Sequence, residues 1–195
     1  MKVFIATKNQ KKLEELKRIL EPMGFEVCTE SDFLSNFKEV EETGKTFEEN
    51  ALLKATAGLE NTGLMSVADD SGLCVDYLDG APGIYSARFS GLHGDDDSNN
   101  NKLLELLDGV PEEKRTAKYV AAIACVFPDG RSFTVRGECK GRILESPVGN
   151  SGFGYDPLFY GELGYFGLLT AEQKDSVSHR GNALKLFKEE LKKYL

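Results

Sequence analysis

The sequence predicts an α/β fold built on a mixed β-sheet flanked by helices. Three observations carry that prediction. The chain opens as KVFIA, then the polar TKNQ, then KKLEELKRIL, which is strand, turn and helix, the start of an α/β unit. Short apolar runs then alternate with segments of helical period. Later, apolar runs at 117–127 and 132–138 flank Pro128, Asp129 and Gly130, a hairpin signal, so parallel and antiparallel pairing share the sheet.

The elements follow in order. Residues 2–6 read as a buried strand, and 11–20 as a helix with Leu13, Leu16, Ile19 and Leu20 on one stripe. Residues 26–29 read as a second strand. Thr46 and Glu49 have capping-box spacing, which starts a helix running to about Leu59. Leu64–Ala68 is a short apolar run expected to be a central strand with Asp69 and Asp70 at its C-terminal end. A further strand is expected over 73–77, before the Gly-Ala-Pro-Gly turn at 80–83. The polar run 95–101 reads as a loop, with a helix after it over 103–107. A glycine-rich loop at 149–154 leads into Tyr155, Asp156 and Pro157. The last helix is expected from Asn182 to Tyr194, with Ala183, Leu184, Phe187 and Leu191 facing inward.

Composition narrows the function classes. A length of 195 residues fits one domain, or one domain with two lobes, and can bury a core large enough to hold a deep cleft. The net charge of -8 argues against general nucleic-acid or anionic-membrane binding, since phosphate contacts need clustered Lys and Arg. It leaves room for one small phosphorylated ligand held by a few cations or a metal. Cys28, Cys74, Cys125 and Cys139 form no CxxC pair, and only His93 and His179 are present, so zinc and multi-histidine sites are not expected. The sequence shows no signal peptide and no apolar run of membrane-spanning length, and reads as a cytoplasmic chain with reduced thiols.

Four segments carry candidate chemistry. In ATKNQKKLEE, Thr7 and Asn9 offer hydrogen bonds, and Lys11 and Lys12 bring charge to a helix start, where free N–H groups favour an anion. The same string also reads as a capped helix with a solvated lysine face, and no Walker A pattern exists. Glu41 precedes Gly44 in EETG, and Asp69 and Asp70 follow an apolar run in ADDSG. Mg²⁺ takes one or two carboxylates plus phosphate oxygens and water, and a carboxylate can also activate a water. The plain alternative is aspartates forming a turn. In SGFGYDPLF, the glycines would let backbone approach a flat base, Phe153 and Tyr155 offer rings, and Pro157 stiffens Asp156. It equally reads as a Gly-Pro turn with core aromatics. In SHRG, Ser178 can cap the last helix, so that His179 and Arg180 project from its start and can hydrogen-bond a purine. The alternative is a cap followed by surface residues.

Taken in order, the strings ATKNQKK, ETGKTFEENALLKA, ADDSGLCVDYLDGAPGIYSARFSG, GFGYDPLF and SHRGNALK resemble the inosine triphosphate pyrophosphatase (ITPase-like) family over residues 3–190. The resemblance implies an elongated mixed sheet with two lobes around a central cleft, as a homodimer. It implies hydrolysis of ITP, dITP and XTP to monophosphate and pyrophosphate, with Mg²⁺ as cofactor. By the same resemblance, Thr7, Lys8, Asn9, Gln10, Lys11 and Lys12 grip the triphosphate, with Lys54 in support. Glu41 and Asp70 hold the metal, and Asp70 is also the general base. Ser71, Phe153, Gly154, Tyr155, Asp156, Lys174, His179 and Arg180 bind the rest of the nucleotide. Lys8 stands where the family has Gly, and 160–170 lack the family's GKT-type segment. The competing readings are a pyrophosphatase for modified pyrimidine or ordinary nucleotides, a non-catalytic nucleotide sensor, and a nucleic-acid module using the lysine-rich first helix.

Overall fold

The computed structural model describes all residues except 34–36, 38 and 39. A seven-stranded sheet has the order β2-β1-β3-β4-β5-β6-β7. Its strands are β1 (Lys2–Ile5), β2 (Glu26–Cys28), β3 (Met65–Val75), β4 (Thr116–Val126), β5 (Ser132–Ile143), β6 (Phe159–Gly161) and β7 (Gly164–Tyr165). The helices are α1 (Gln10–Leu20), α2 (Phe47–Thr62), α3 (Asp96–Leu106), α4 (Ala171–Val177) and α5 (His179–Leu191). β1 pairs in parallel with β2 and β3, while β5–β6 and β6–β7 are antiparallel, so the sheet is mixed as the sequence predicts.

By internal contacts the chain divides into two compact units. The first comprises 1–70, 122–136 and 183–195. In it α1 buries Leu13, Leu16 and Leu20, and α2 presents the small residues Ala51, Ala55 and Gly58. That small face permits a close approach: a Cβ on Gly58 would lie 2.3 Å from Ser66 Oγ and 2.8 Å from Phe4 Cδ1. Phe127, Phe133, Phe187 and Tyr194 add an aromatic cluster with ring centroids 4.9–6.3 Å apart. The second unit comprises 71–121 and 137–182. Its core gathers Leu73, Val75, Leu103, Leu107, Tyr119, Ile143, Tyr155, Leu158, Phe159 and Phe166. Buried Arg115 donates to the carbonyls of Leu107, Ile143 and Leu144 at 2.7–2.9 Å and so ties that core's loops together.

Four boundaries differ from the sequence expectation. Asp69 and Asp70 do not end a strand: β3 runs unbroken through them to Val75. Lysine partners for both aspartates let the acids stay buried inside the strand. The parallel neighbour β1 does end there, with Ile5 opposite Val67, so the aspartates lie just past the carboxyl end of β1. The run 95–101 is mostly helix rather than loop, because the Asp95 side chain caps α3 by accepting from Ser98 N at 3.0 Å. α2 continues to Thr62 before Gly63 takes the left-handed conformation that ends it. α5 starts three residues earlier than expected, with Ser178 Oγ accepting from Gly181 N at 3.0 Å.

Candidate functional site

The first unit assembles a charged cluster around β3. Lys54, one turn past the middle of α2's first half, points its ammonium at two carboxylates: Glu42 Oε1 at 2.9 Å and Asp70 Oδ1 at 2.8 Å. Glu42 and Asp70 thus converge on one ammonium. Beside them Lys12 pairs with buried Asp69. The loop that carries Glu42 is pinned by fully buried Asn50, whose Oδ1 accepts from Gly44 N at 2.8 Å. Thr46 Oγ1 accepts from Glu49 N at 3.1 Å, the cap expected for α2, while the Glu49 carboxylate returns to Lys45 N at 2.5 Å.

The electrostatics follow from burial and these pairs. Burial pushes the Asp70 carboxyl above its usual value, Lys54 and Lys12 oppose that, and Glu42 adds to it; the net direction is up. For Lys54, burial disfavours the charge, but Asp70 and Glu42 outweigh it and the ammonium is held upward. Asp70 Oδ2 is buried and has no hydrogen-bond partner among the described residues. A buried carboxylate oxygen left open beside a second carboxylate suits an added cation. Among the described residues there is no cluster of three or more His, Cys, Asp or Glu side chains arranged for a metal. Mg²⁺ takes one or two carboxylates and completes its shell with water and phosphate oxygens, so Glu42 and Asp70 fit such an ion.

The sequence named Glu41 for this position, yet Glu41 is exposed and Glu42 is the acid that meets Lys54. Adjacent side chains leave the backbone in different directions, so only one of a Glu-Glu pair can turn inward, and the string alone does not say which. In the opening segment, Asn9 Oδ1 accepts from Lys11 N at 3.0 Å and Lys12 N at 3.2 Å, and Thr7 Oγ1 accepts from Asn9 N at 3.1 Å. The amides expected to await an anion are therefore occupied by the cap, leaving the side chains of exposed Lys8, Gln10 and Lys11 on the outside.

The second unit gathers the remaining predicted residues. Asp156, 1% exposed, accepts from Phe153 N at 2.9 Å, from Tyr119 Oη at 3.3 Å, and from Lys174. Gly152 turns at φ +83°, where a Cβ would lie 2.0 Å from Asp156 Oδ2, so only glycine fits. Lys174 and Arg180 approach the Phe153 ring at 4.6 and 5.9 Å. Arg180 also donates to Ser71 Oγ at 3.0 Å. Gly154 is held by α3: its N–H donates to Asp96 Oδ2 at 2.7 Å and its carbonyl accepts from Asn100 Nδ2 at 2.9 Å. Tyr155 is buried and donates to Ser86 O at 2.8 Å. His179 and Arg180 are buried rather than projecting into solvent, and His179 stacks on Tyr119. The altered 160–170 segment closes as the short β6–β7 hairpin, with Phe166 fully buried. Sequence reasoning missed Glu42, Asn50, Tyr119, Asp96 and Asn100. Only Tyr119 left a signal, a hydroxyl inside a largely apolar strand that must find a partner.

Two carboxylates around one ammonium, with Asp70 just past the carboxyl end of β1, stand where α/β proteins bind ligands. Comparison with known proteins agrees. The Ham1 family model matches residues 3–190. A protein of Desulforamulus reducens named dITP/XTP pyrophosphatase is 51% identical over 187 residues, covering 95% of this chain and 92% of its own. One of the same name from Geobacter sulfurreducens is 51% identical over 192 residues, covering 97% and 96%. The solved structure of the Staphylococcus aureus Ham1 protein superposes with a TM-score of 0.91 at 38% identity over 100% of both chains. The chain belongs to the Ham1 family. That family of nucleotide pyrophosphatases implies a divalent metal. Among the described residues, no helix is long and apolar enough to cross a membrane.

Proposed function

We propose that this chain hydrolyses the deaminated purine nucleoside triphosphates ITP, dITP and XTP to the monophosphate and pyrophosphate, with Mg²⁺ as the metal. The observation that carries the reading is the open, buried Oδ2 of Asp70 beside Glu42 and Lys54, in a chain half identical to proteins named dITP/XTP pyrophosphatase. Glu42 and Asp70 are the residues that would hold the cation. When bound, it supplies positive charge to the phosphate oxygens as negative charge grows on them.

The chain's own residues do the rest. Asp70, its carboxyl raised by burial, takes a proton from the attacking water. The water oxygen bonds to the α-phosphorus, the bond from that phosphorus to the bridging oxygen breaks, and pyrophosphate leaves with that electron pair. Lys54 and Lys12 keep positive charge against the developing anion, and Thr7, Lys8 and Lys11 offer outer contacts to the β- and γ-phosphates. No covalent nucleophile is required. The base is taken by the 152–156 loop, with Phe153 for stacking and His179, Arg180 and Ser71 for polar contacts. Asp156 holds the loop, because its oxygens already serve Tyr119, Phe153 and Lys174.

Donors aimed at the O6 of hypoxanthine or xanthine would face the amino group of adenine unpaired. Each such mismatch costs roughly 1–3 kcal/mol, so two separate the bases by about a hundredfold. The test is a panel of ITP, dITP, XTP, GTP, ATP, dUTP and dTTP with Mg²⁺, read by pyrophosphate release. ITP and XTP should lead. If dUTP or dTTP outruns ITP, the pyrimidine reading replaces this one. A cytoplasmic homodimer completes the proposal on the family resemblance, and its mass in solution by light scattering checks the dimer.

A further inference from the structure

Tyr119 is a buried side chain of the second unit that touches both Asp156 and His179. It sits in β4, 6% exposed, ahead of the apolar run Val120–Val126. Its hydroxyl donates to Asp156 Oδ1 at 3.3 Å. Its ring lies against the His179 imidazole at 4.7 Å between centroids and 14° between planes, a stacked pair. On its other sides it meets Phe159 at 4.6 Å and Phe166 at 6.2 Å, so the ring cannot slide away. Burial foremost, then the Asp156 carboxylate, pushes the phenol well above its usual range, so it stays a donor at any physiological pH.

Asp156 in turn fixes Phe153 through its N–H and clamps Lys174, which lies over the Phe153 ring. His179 opens α5, with Arg180 next to it. We infer that Tyr119 is a positioning residue for purine recognition: its hydroxyl sets the Asp156 loop, and its ring sets the imidazole at the start of α5. One side chain thereby keeps two base-contacting segments in register. The inference rests on the nucleotide reading above. It assigns Tyr119 no contact with the reacting phosphates, which separates its expected signature from that of Asp70.

Tyr119→Phe removes the hydroxyl and keeps the ring; Tyr119→Leu removes both. The measurements are kcat and KM for ITP and ATP, with the affinities of inosine monophosphate and of inorganic tripolyphosphate by calorimetry. For Tyr119→Phe, KM for ITP should rise about tenfold, the equivalent of ~1.4 kcal/mol, with kcat within about twofold. Inosine monophosphate should bind about tenfold more weakly, and tripolyphosphate unchanged. Tyr119→Leu should lose more of the preference for ITP over ATP than Tyr119→Phe. Equal losses for inosine monophosphate and tripolyphosphate would show a merely structural residue, and no loss for either would remove Tyr119 from recognition; both overturn the inference. A wild-type protein that prefers dUTP to ITP overturns the nucleotide reading and this inference together. Wild-type preference for ITP with an unchanged Tyr119→Phe overturns this one alone.

Discussion

Asp70 and Asp156 are both buried aspartates paired with a lysine, yet they are used in opposite ways. Asp156 has its oxygens committed to protein donors: Tyr119 on one, Phe153 N and Lys174 on the other. Among the described residues Asp70 commits Oδ1 to Lys54 and keeps Oδ2 buried and open. A fully bonded carboxylate resists change and holds a loop; a half-bonded one retains capacity for a cation or a proton. The contrast explains why two similar residues in one chain serve positioning and chemistry.

The largest expected effect tests that contrast directly. Asp70→Asn should lower kcat for ITP by about 10²–10⁴-fold, the usual worth of a general base, while ITP still binds. Its thermal midpoint should fall only slightly, because Lys54 keeps Glu42 as a partner. Asp156→Asn should cost more stability, about 3 kcal/mol, by removing the carboxylate that pairs with half-buried Lys174. Calorimetric melting with steady-state kinetics on both variants decides it. Unchanged turnover in Asp70→Asn removes Asp70 from the mechanism, and an undisturbed melt in Asp156→Asn breaks the assigned division of labour.

Glu42 and Glu41 sharpen the same point at smaller scale. Glu42→Gln should raise the Mg²⁺ concentration for half-maximal activity at least about tenfold, since even indirect supports of metal ligands cost that much. Glu41→Gln should leave it within about twofold, because Glu41 is exposed. A metal titration of both variants reads the outcome, and the opposite ranking would restore Glu41 to the metal.

Much of this was legible in the sequence. The strand–turn–helix opening and the Pro128–Gly130 hairpin placed β1, α1, β4 and β5 because period and turn residues are local signals. Asp70, Lys54, Phe153, Asp156 and Arg180 were named from their strings. What stayed hidden depends on distant partners. The acids of β3 read as the end of a strand because Lys12 and Lys54, which make their burial tolerable, come from other elements. The Asp-Asn run of α3 read as a loop because its composition favours turns. Its helix is stabilised by the Asp95 cap, with Asn99 accepting from Ser90 N at 2.7 Å and Asn100 holding Gly154. The choice between Glu41 and Glu42 turns on Asn50 fixing Gly44, a contact that no string displays.

The smallest expected effect concerns the cores beneath the two regions. Cys125 in the first unit and Cys139 in the second are buried thiols, which burial pushes up to about 12 and about 11. At pH 8 only about one molecule in 10⁴ and one in 10³ would carry the thiolate that reacts with a disulfide reagent. Neither thiol should label in the folded protein, and both should label at once in denaturant. Labelling at intermediate denaturant then compares the units, because a thiol becomes reactive only when the packing around it opens. If Cys139 reacts before Cys125, the unit bearing the Tyr119–Asp156 clamp opens first, and the clamp does not make it the more stable of the two. Simultaneous labelling would mean that both units unfold in one step, and that clamp variants should lower the melting of the whole chain.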